Sequence, residues 1–124
     1  MKVEGAIEFE ITEQTTERVV GVMPIKADIL NPFGVAHAGA ILWFADVCAT
    51  VLVFGEAQPK PGGTGFPLGI SLNANFVGNQ KEGVFMATSV FVKRGRSLSV
   101  VRTTITGAEA RLVADVTTSH VPAK

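Results

Sequence analysis

An apolar run that extends from Ala38 to Gly55 contains a single acidic residue, Asp46, near its middle. The nearest charged residues are Asp28 before it and Glu56 after it. Desolvating an ionised carboxylate costs free energy unless the group finds a partner or takes up a proton. Asp46 also lies too far into the run to cap the start of a helix. We therefore predict that Asp46 takes part in catalysis.

Small residues before Asp46 could supply a second part of an active site. Ala38 and Gly39 would open the predicted helix, where free backbone N–H groups and the helix dipole can stabilise a forming oxyanion. Asp46 lies roughly 12 Å further along the helix axis, at 1.5 Å per residue. One carbonyl group cannot contact both positions of the same helix. The spacing therefore predicts a site shared between two chains related by a twofold axis.

Three further polar residues are candidates for this site. Thr50 follows Asp46 by one helical turn, so its hydroxyl could orient a water or the carboxylate, although such a residue also bonds back to its own helix. Ser71 begins a strand that could cross over the helix. Asn31 precedes a proline and is either a turn residue or a site residue. Cys48 falls on another helix face than Asp46, and we expect it in the core.

The remaining pattern predicts an α+β fold. Residues 38–54 lack alternation and are rich in Ala, Leu, Trp and Phe, which favours a buried helix. Residues 55–67 contain three prolines and four glycines and predict a loop. Strands are predicted at residues 3–11 and 18–25 before the helix, and at residues 68–77, 84–93, 97–107 and 112–119 after it. The last four strands are expected to form an antiparallel meander joined by hairpins.

Composition limits the class of protein. The 124 residues suit a single domain, 1–124. A hydrophobic content of 47% and a mean hydropathy of +0.34 suggest that apolar surface is also buried between subunits. Because the formal net charge is +0, no overall electrostatic field would attract the protein to nucleic acid. One cysteine excludes an internal disulfide, and the N-terminus has no signal-peptide pattern, so we predict a cytoplasmic protein.

The apolar run also allows a membrane-spanning interpretation, because its length of about 18 residues is near the lower limit for a span. Asp46 at its centre would cost roughly 2.5–3.5 kcal/mol on insertion scales. No basic flank sets an orientation, and the rest of the chain predicts amphipathic strands. The pattern therefore favours a globular domain.

The segment N-P-F-G-V-A-H-A-G-A-I-L-W-F-A-D, residues 31–46, resembles the signature of hotdog-fold acyl-CoA thioesterases. The branch it is most similar to is that of phenylacetate-pathway and 4-hydroxybenzoyl-CoA thioesterase-like proteins. The segments G-I-S-L-N-A-N-F and V-K-R-G-R-S-L-S-V-V-R are similar to later parts of the family pattern. One departure is Ala38, which stands where the family has the first glycine after the histidine. The resemblance implies an antiparallel sheet of five to six strands wrapped around one long central helix, in a homodimer or a homotetramer.

The resemblance also implies roles for single residues. Asp46 would act as nucleophile or general base on the thioester of a small aryl-CoA or acyl-CoA. The Ala38 N–H, with Gly39 beside it, would polarise the carbonyl as an oxyanion hole. The remaining catalytic candidates are Asn31 for the carbonyl or water, and Thr50 and Ser71 as assistants to the carboxylate or water.

Binding of coenzyme A requires basic surface near the site. The densest cationic cluster is Lys93-Arg94-Gly95-Arg96, and Arg can bind phosphate through two parallel hydrogen bonds. His37 is expected near the helix start, in contact with substrate and as a structural residue rather than a base. No cofactor and no metal are expected, since coenzyme A is part of the substrate.

Competing functions remain open. A non-catalytic acyl-CoA-binding hotdog protein would keep the pocket without needing an ionised acid. A hydratase-type hotdog enzyme would use an acid and an Asn-Pro pair, which Asp28, Asn31 and Pro32 imitate, but His37 follows the Asn at the wrong spacing. A Ser-His-Asp hydrolase lacks its Gly-x-Ser-x-Gly motif. His120 is expected in the C-terminal tail, and two separated histidines predict no metal site.

Overall fold

The structure is a computed structural model that describes residues 1–55 and 67–122. Within these ranges one α-helix, α1 (Ala38–Phe54), lies in the chain between the second and third strands, and its bounds are those predicted. The predicted loop at 55–67 falls almost wholly on residues 56–66, outside the described residues. The strands are β1 (Glu10–Gln14), β2 (Arg18–Pro24), β3 (Pro67–Phe76), β4 (Val84–Lys93), β5 (Ser99–Thr106) and β6 (Leu112–Pro122).

The described strands form a single antiparallel sheet with the order β1-β2-β4-β5-β6-β3. This sheet wraps around α1, which packs against β2, β3, β4, β5 and β6. A helix without a polar face must be covered on more than one side, and a curved sheet provides that cover. The predicted α+β class is confirmed.

The position of β3 differs from the prediction of a four-strand meander. β3 pairs with β6, where Leu72 lies opposite Thr118, and β4 pairs with β2. The connection from β3 to β4 is therefore a crossover, not the predicted hairpin. Alternation and turn residues identify strands but not their partners, and a strand at the far edge lets the sheet reach the helix from both sides.

The N-terminal segment forms less strand than its alternating pattern predicts. The prediction of a strand is wrong for residues 3–9, because β1 begins at Glu10. Glu10 pairs with Val22 of β2, so the same register would place Glu8 opposite Pro24. Proline has no N–H to donate, and β2 ends at this residue. The described structure offers no partner strand for residues 3–9.

The core lies between α1 and the inner face of the sheet. Phe44 and Cys48 of the helix are fully buried there, together with Phe85 and Val101 of the sheet. Cys48 is therefore a core residue, as predicted. Burial raises the pKa of its thiol to about 12, so the group stays protonated and unreactive.

Strand β2 approaches the helix closely at Gly21. A Cβ atom at this position would lie 2.9 Å from the Sγ atom of Cys48 and 2.9 Å from the Cε1 atom of Phe44. Both distances are shorter than ordinary van der Waals contacts, so no side chain fits between strand and helix. The glycine thus sets the spacing at which the helix fills the core.

We expect Gly21→Ala to destabilise the fold by about 1–3 kcal/mol, because the added methyl must displace closely packed side chains. The free energy of unfolding, measured by chemical denaturation, checks this. Cys48→Ala is the matched variant, since it removes one of the two nearest atoms that the methyl would meet. The double variant should lose less stability than the two single losses combined, and strictly additive losses would contradict the proposed contact.

Candidate active site

Asp46 lies on a face of α1 that the sheet covers only in part. On this face Ala38 and Gly39 are exposed, Trp43 is 45% exposed, and Asp46 and Thr50 are half-buried. The Asp46 carboxylate makes no hydrogen bond or ion pair with any residue of the described ranges. In the single chain the acid is therefore less buried than its apolar sequence context predicts, and its oxygens are available to a ligand.

The residue of β3 beside Asp46 is Gly69. A Cβ atom on Gly69 would lie 3.6 Å from Oδ1 of Asp46 and 3.9 Å from Nδ1 of His120. Ser71, the predicted assistant from this strand, lies two positions further on, is exposed, and follows an irregularity in the β3–β6 register. At Gly69 the strand thus meets the acid with a backbone that carries no side chain.

His120 occupies a different place from the one predicted. It belongs to β6, pairs with Gly69 and Ser99 on the neighbouring strands, and is 1% exposed. The prediction of a C-terminal tail was wrong because the predicted strand stopped at residue 119, whereas β6 continues to Pro122. Continuing the alternation of Val116 and Thr118, which point inward, by one more step would have placed His120 inside.

The His120 ring is only half satisfied by hydrogen bonds. Its Nε2 lies 2.8 Å from Oγ1 of Thr118, and its Nδ1 is buried with no hydrogen-bond partner among the described residues. Burial lowers the pKa of His120, because a charged imidazolium is costly to desolvate. The negative charge of Asp46 opposes this shift and raises the pKa of His120 to a smaller extent.

The start of the helix offers one free backbone donor in the described structure. His37 is the N-cap, and its Nδ1 accepts a hydrogen bond of 2.9 Å from the N–H of Gly39. The Ala38 N–H has no partner in the described ranges. Of the two predicted oxyanion donors, Ala38 is therefore available and Gly39 is engaged with the cap. Since its acceptor nitrogen is in use, His37 acts here as a structural residue.

Asn31 is tied into the turn that leads to the helix. Its Oδ1 accepts hydrogen bonds from the N–H of Phe33 at 2.9 Å and of Val35 at 3.3 Å. Its own N–H donates to the carbonyl of Val35. This geometry is an Asx turn, in which the side-chain oxygen replaces a backbone acceptor. The side-chain NH₂ group remains as the part of Asn31 that could reach a carbonyl or water.

The predicted basic cluster lies in the connection from β4 to β5. Arg94 donates a hydrogen bond to the backbone carbonyl of Thr16, and its guanidinium lies 4.3 Å from the ring centroid of Phe91. Lys93 and Arg96 are exposed and have no partner within the described ranges. The side chains of Lys93 and Arg96 are therefore free to bind an anion. Arg94 instead links the β4–β5 connection to Thr16, which precedes β2.

The connection also places a glycine where a side chain cannot fit. A Cβ atom on Gly95 would overlap the carbonyl oxygen of Leu98. The Gly95 N–H and carbonyl both lie 3.3 Å from Oγ of Ser99, which closes the turn. Gly95 thus has a structural reason to be small, and its backbone groups are already used.

A cavity of about 470 Å³ lies among the described residues at the C-terminal end of α1. It is lined by the helix end, by the β4–β5 connection and by the end of β6, including Leu52, Phe91, Arg94 and His120. The sequence predicts an acyl pocket between the helix and the loop that follows it, and the cavity adjoins both described ends of that loop.

Neither a spanning helix nor a metal cluster occurs in residues 1–55 and 67–122. No helix there has both the length and the apolar character needed to cross a membrane. No three side chains of His, Cys, Asp or Glu in the same ranges are arranged to hold a metal ion.

Comparison with known sequences identifies the family. A sequence profile of the Thioesterase superfamily matches residues 33–114. The candidate esterase ComA2 of Bacillus subtilis (strain 168) is 33% identical over 108 residues, which cover 87% of this chain and 83% of that protein. The chain therefore belongs to the thioesterase superfamily, a class of thioester hydrolases.

Solved structures share the fold. A mutant of the thioesterase SAV0944 from Staphylococcus aureus subsp. aureus Mu50 aligns with a TM-score of 0.85 and 24% identity, over 94% of this chain and 93% of that chain. A hypothetical thioesterase from Streptococcus pneumoniae TIGR4, solved with coenzyme A, aligns with a TM-score of 0.82 and 22% identity. The alignment covers 93% of this chain and 85% of that chain. The hotdog fold implied by the sequence resemblance is thereby confirmed.

Proposed function

We propose that the protein is an acyl-CoA thioesterase that hydrolyses a small aryl-CoA or acyl-CoA to the free acid and coenzyme A. The observation that carries this proposal is the carboxylate of Asp46, which is half-buried on an apolar helix and has no partner in the described structure. An unpaired acid in such a place is costly and therefore points to a function.

In the proposed reaction Asp46 acts on the thioester as general base or as nucleophile. As a base, it takes a proton from water while the water oxygen attacks the carbonyl carbon. The carbonyl oxygen becomes an oxyanion that accepts a hydrogen bond from the Ala38 N–H, and the C–S bond then breaks. As a nucleophile, Asp46 forms an anhydride, releases the thiolate and is regenerated by water. A thiolate leaves readily, so neither route requires a strong general acid.

The other predicted residues would position the reactants. Thr50 lies one turn beyond Asp46 on the same face, where its hydroxyl can hold the water or the carboxylate. The NH₂ group of Asn31 can donate to the carbonyl, and the exposed hydroxyl of Ser71 lies on the strand that passes Asp46. His37 supports the oxyanion donor by holding the first turn of the helix.

The active enzyme is proposed to be a homodimer or a dimer of dimers. β3 is an edge strand of ten residues that exposes apolar side chains, among them Leu68, Ile70 and Leu72. Such an edge is a template for pairing with a second copy. Because Asp46 adjoins Gly69 of this strand, pairing of β3 across a twofold axis would bring the acid to the subunit boundary.

Coenzyme A as the leaving group is supported by the fold neighbour from Streptococcus pneumoniae TIGR4, which was solved with that molecule. The free side chains of Lys93 and Arg96 supply positive charge for its phosphates. The 470 Å³ cavity offers a place for an apolar acyl group. The proposed reaction uses no separate cofactor, since coenzyme A enters with the substrate, and we propose that it occurs in the cytoplasm.

We expect Asp46→Asn to abolish thiol release from acyl-CoA esters, because the amide can neither accept the proton nor attack the carbonyl. A spectrophotometric thiol assay over a panel of aryl-, phenylacetyl-, short- and medium-chain CoA esters measures this and defines the substrate. Binding of coenzyme A and thermal stability should remain close to wild type. Undiminished turnover in the purified variant would reject the proposed function, and binding without turnover in the wild type would favour an acyl-CoA-binding protein.

We expect Ala38→Pro to reduce kcat by about a hundredfold or more, because it removes the backbone donor to the oxyanion. Proline is well tolerated at the first helical position, and His37, with φ −67° and ψ 134°, already has the extended conformation that a following proline requires. The fold should therefore survive, which circular dichroism can verify.

Mixing this variant with Asp46→Asn tests the shared site. If Asp46 and Ala38 act from different chains, each mixed dimer contains one intact site, and random exchange of subunits restores about a quarter of wild-type activity. Activity that stays at the level of the two parents after subunit exchange would contradict a site built from two chains.

We expect Lys93→Gln combined with Arg96→Gln to raise KM for acyl-CoA esters by about tenfold, through loss of charge-assisted hydrogen bonds to phosphate. A thioester of N-acetylcysteamine, which has no nucleotide, should show an unchanged KM. Arg111→Gln is the matched control, since this exposed residue lies at the opposite end of β5. Equal losses on both substrates would reject the phosphate role.

A further inference from the structure

His120 presents a buried polar atom that the proposed reaction has not yet used. Its Nδ1 has no hydrogen-bond partner in the described structure, although the side chain is only 1% exposed. Leaving such a nitrogen unpaired lowers the stability of the fold. Buried polar atoms are nearly always paired with protein or ordered water, so this atom indicates a missing partner.

The nearest candidate partner is the carboxylate of Asp46. Oδ1 of Asp46 and Nδ1 of His120 both lie within 4 Å of the position that a Gly69 side chain would take. They make no direct hydrogen bond. Gly69 has no side chain to fill this position, and the two polar atoms beside it provide the partners that a bound water requires.

We propose that His120 is a positioning residue of the active site, which holds the Asp46 carboxylate through a water molecule in the space above Gly69. The bond fixes Oδ1 and leaves Oδ2 directed to the attacking water or the thioester. The catalytic role of His120 rests on the proposed function, whereas the proximity of His120 and Asp46 does not depend on it.

The contact made by Nε2 of His120 is linked to which ring nitrogen carries the proton. Nε2 of His120 lies 2.8 Å from the Thr118 hydroxyl. When that hydroxyl donates to Nε2, a neutral ring carries its proton on Nδ1, the atom next to the open space. Thr118 thus orients a donor toward Asp46. The chain of donors runs from the Thr118 hydroxyl through the imidazole and the water to the carboxylate.

The surroundings keep the ring neutral. Desolvation lowers the pKa of His120, and Asp46 on α1 raises it by less. On β5 the residue opposite His120 is Ser99, which has no charge. Arg94, in the β4–β5 connection, lines the same cavity as His120. A neutral donor orients the carboxylate while leaving it free to take up a proton during hydrolysis.

Two isosteric substitutions of His120 separate positioning from packing. The amide of Asn superposes on Nδ1, so His120→Asn keeps a donor toward the water. The amide of Gln superposes on Nε2, so His120→Gln keeps the bond to Thr118 and loses the donor. We expect kcat near wild type for His120→Asn and a decrease of about tenfold to a hundredfold for His120→Gln, with KM little changed. The reverse order of the two variants would overturn the proposal.

Gly69→Ala tests the proposed water position without substituting either partner. Its methyl would make ordinary contacts of 3.6 Å with Asp46 and 3.9 Å with His120, so the fold should persist. The methyl excludes the water, and kcat should fall to the level of His120→Gln. Wild-type kcat in folded Gly69→Ala would overturn the water-mediated bond, and it does so even if the His120 variants fail to fold.

The pairing also has a readout that does not depend on activity. In an NMR titration, we expect the pKa of His120 to be lower in Asp46→Asn than in the wild type, because removal of the negative charge destabilises the imidazolium. An unchanged pKa of His120 would overturn the pairing.

If the wild type hydrolyses no thioester, the proposed function fails, while the titration still tests the pairing of His120 with Asp46. If Asp46→Asn alone abolishes hydrolysis and both His120→Gln and Gly69→Ala keep wild-type kcat, the function stands and the positioning role falls.

Discussion

The constraint on which this structure depends is that α1 has no polar face. Its 17 residues contain a single charged side chain, Asp46. The sheet wraps around much of the helix, with β2 brought into contact at Gly21, but Ala38, Gly39 and Trp43 stay exposed. Apolar surface left exposed on one side of the helix favours association with a second copy. The same lack of polarity thus accounts for the wrapped sheet, for the proposed dimer and for the position of the acid.

Three polar groups without a hydrogen-bond partner in the described structure lie on or beside the same helix. They are the carboxylate of Asp46, the N–H of Ala38 and the Nδ1 of His120. Folded proteins seldom leave such groups without partners, because each lost hydrogen bond lowers stability. In the proposed site the missing partners are a substrate, a water or another subunit. A thioester needs few groups for its hydrolysis, which fits the proposed arrangement of one acid, one backbone donor and their supports.

The departure from the family pattern at Ala38 has little consequence for the donor. The backbone N–H is present in alanine as in glycine, and it is the following N–H, of Gly39, that is engaged by the His37 cap. In the proposed site, a methyl group at Ala38 narrows the space available to the thioester. There the His37 cap leaves the Ala38 N–H as the backbone donor that can act, and the Ala38 side chain limits how closely the substrate can approach.

The amino-acid sequence by itself determined the bounds of α1 and the core position of Cys48, and it singled out Asp46 as the catalytic candidate, because burial and periodicity are local properties of a chain. Only the tertiary structure decided that β3 lies beside β6, since strand partners depend on long-range register and not on local alternation. His120 became visible as a neighbour of Asp46 for the same reason: they are far apart in sequence, and only the pairing of β6 with β3 at Gly69 brings the ring to the helix.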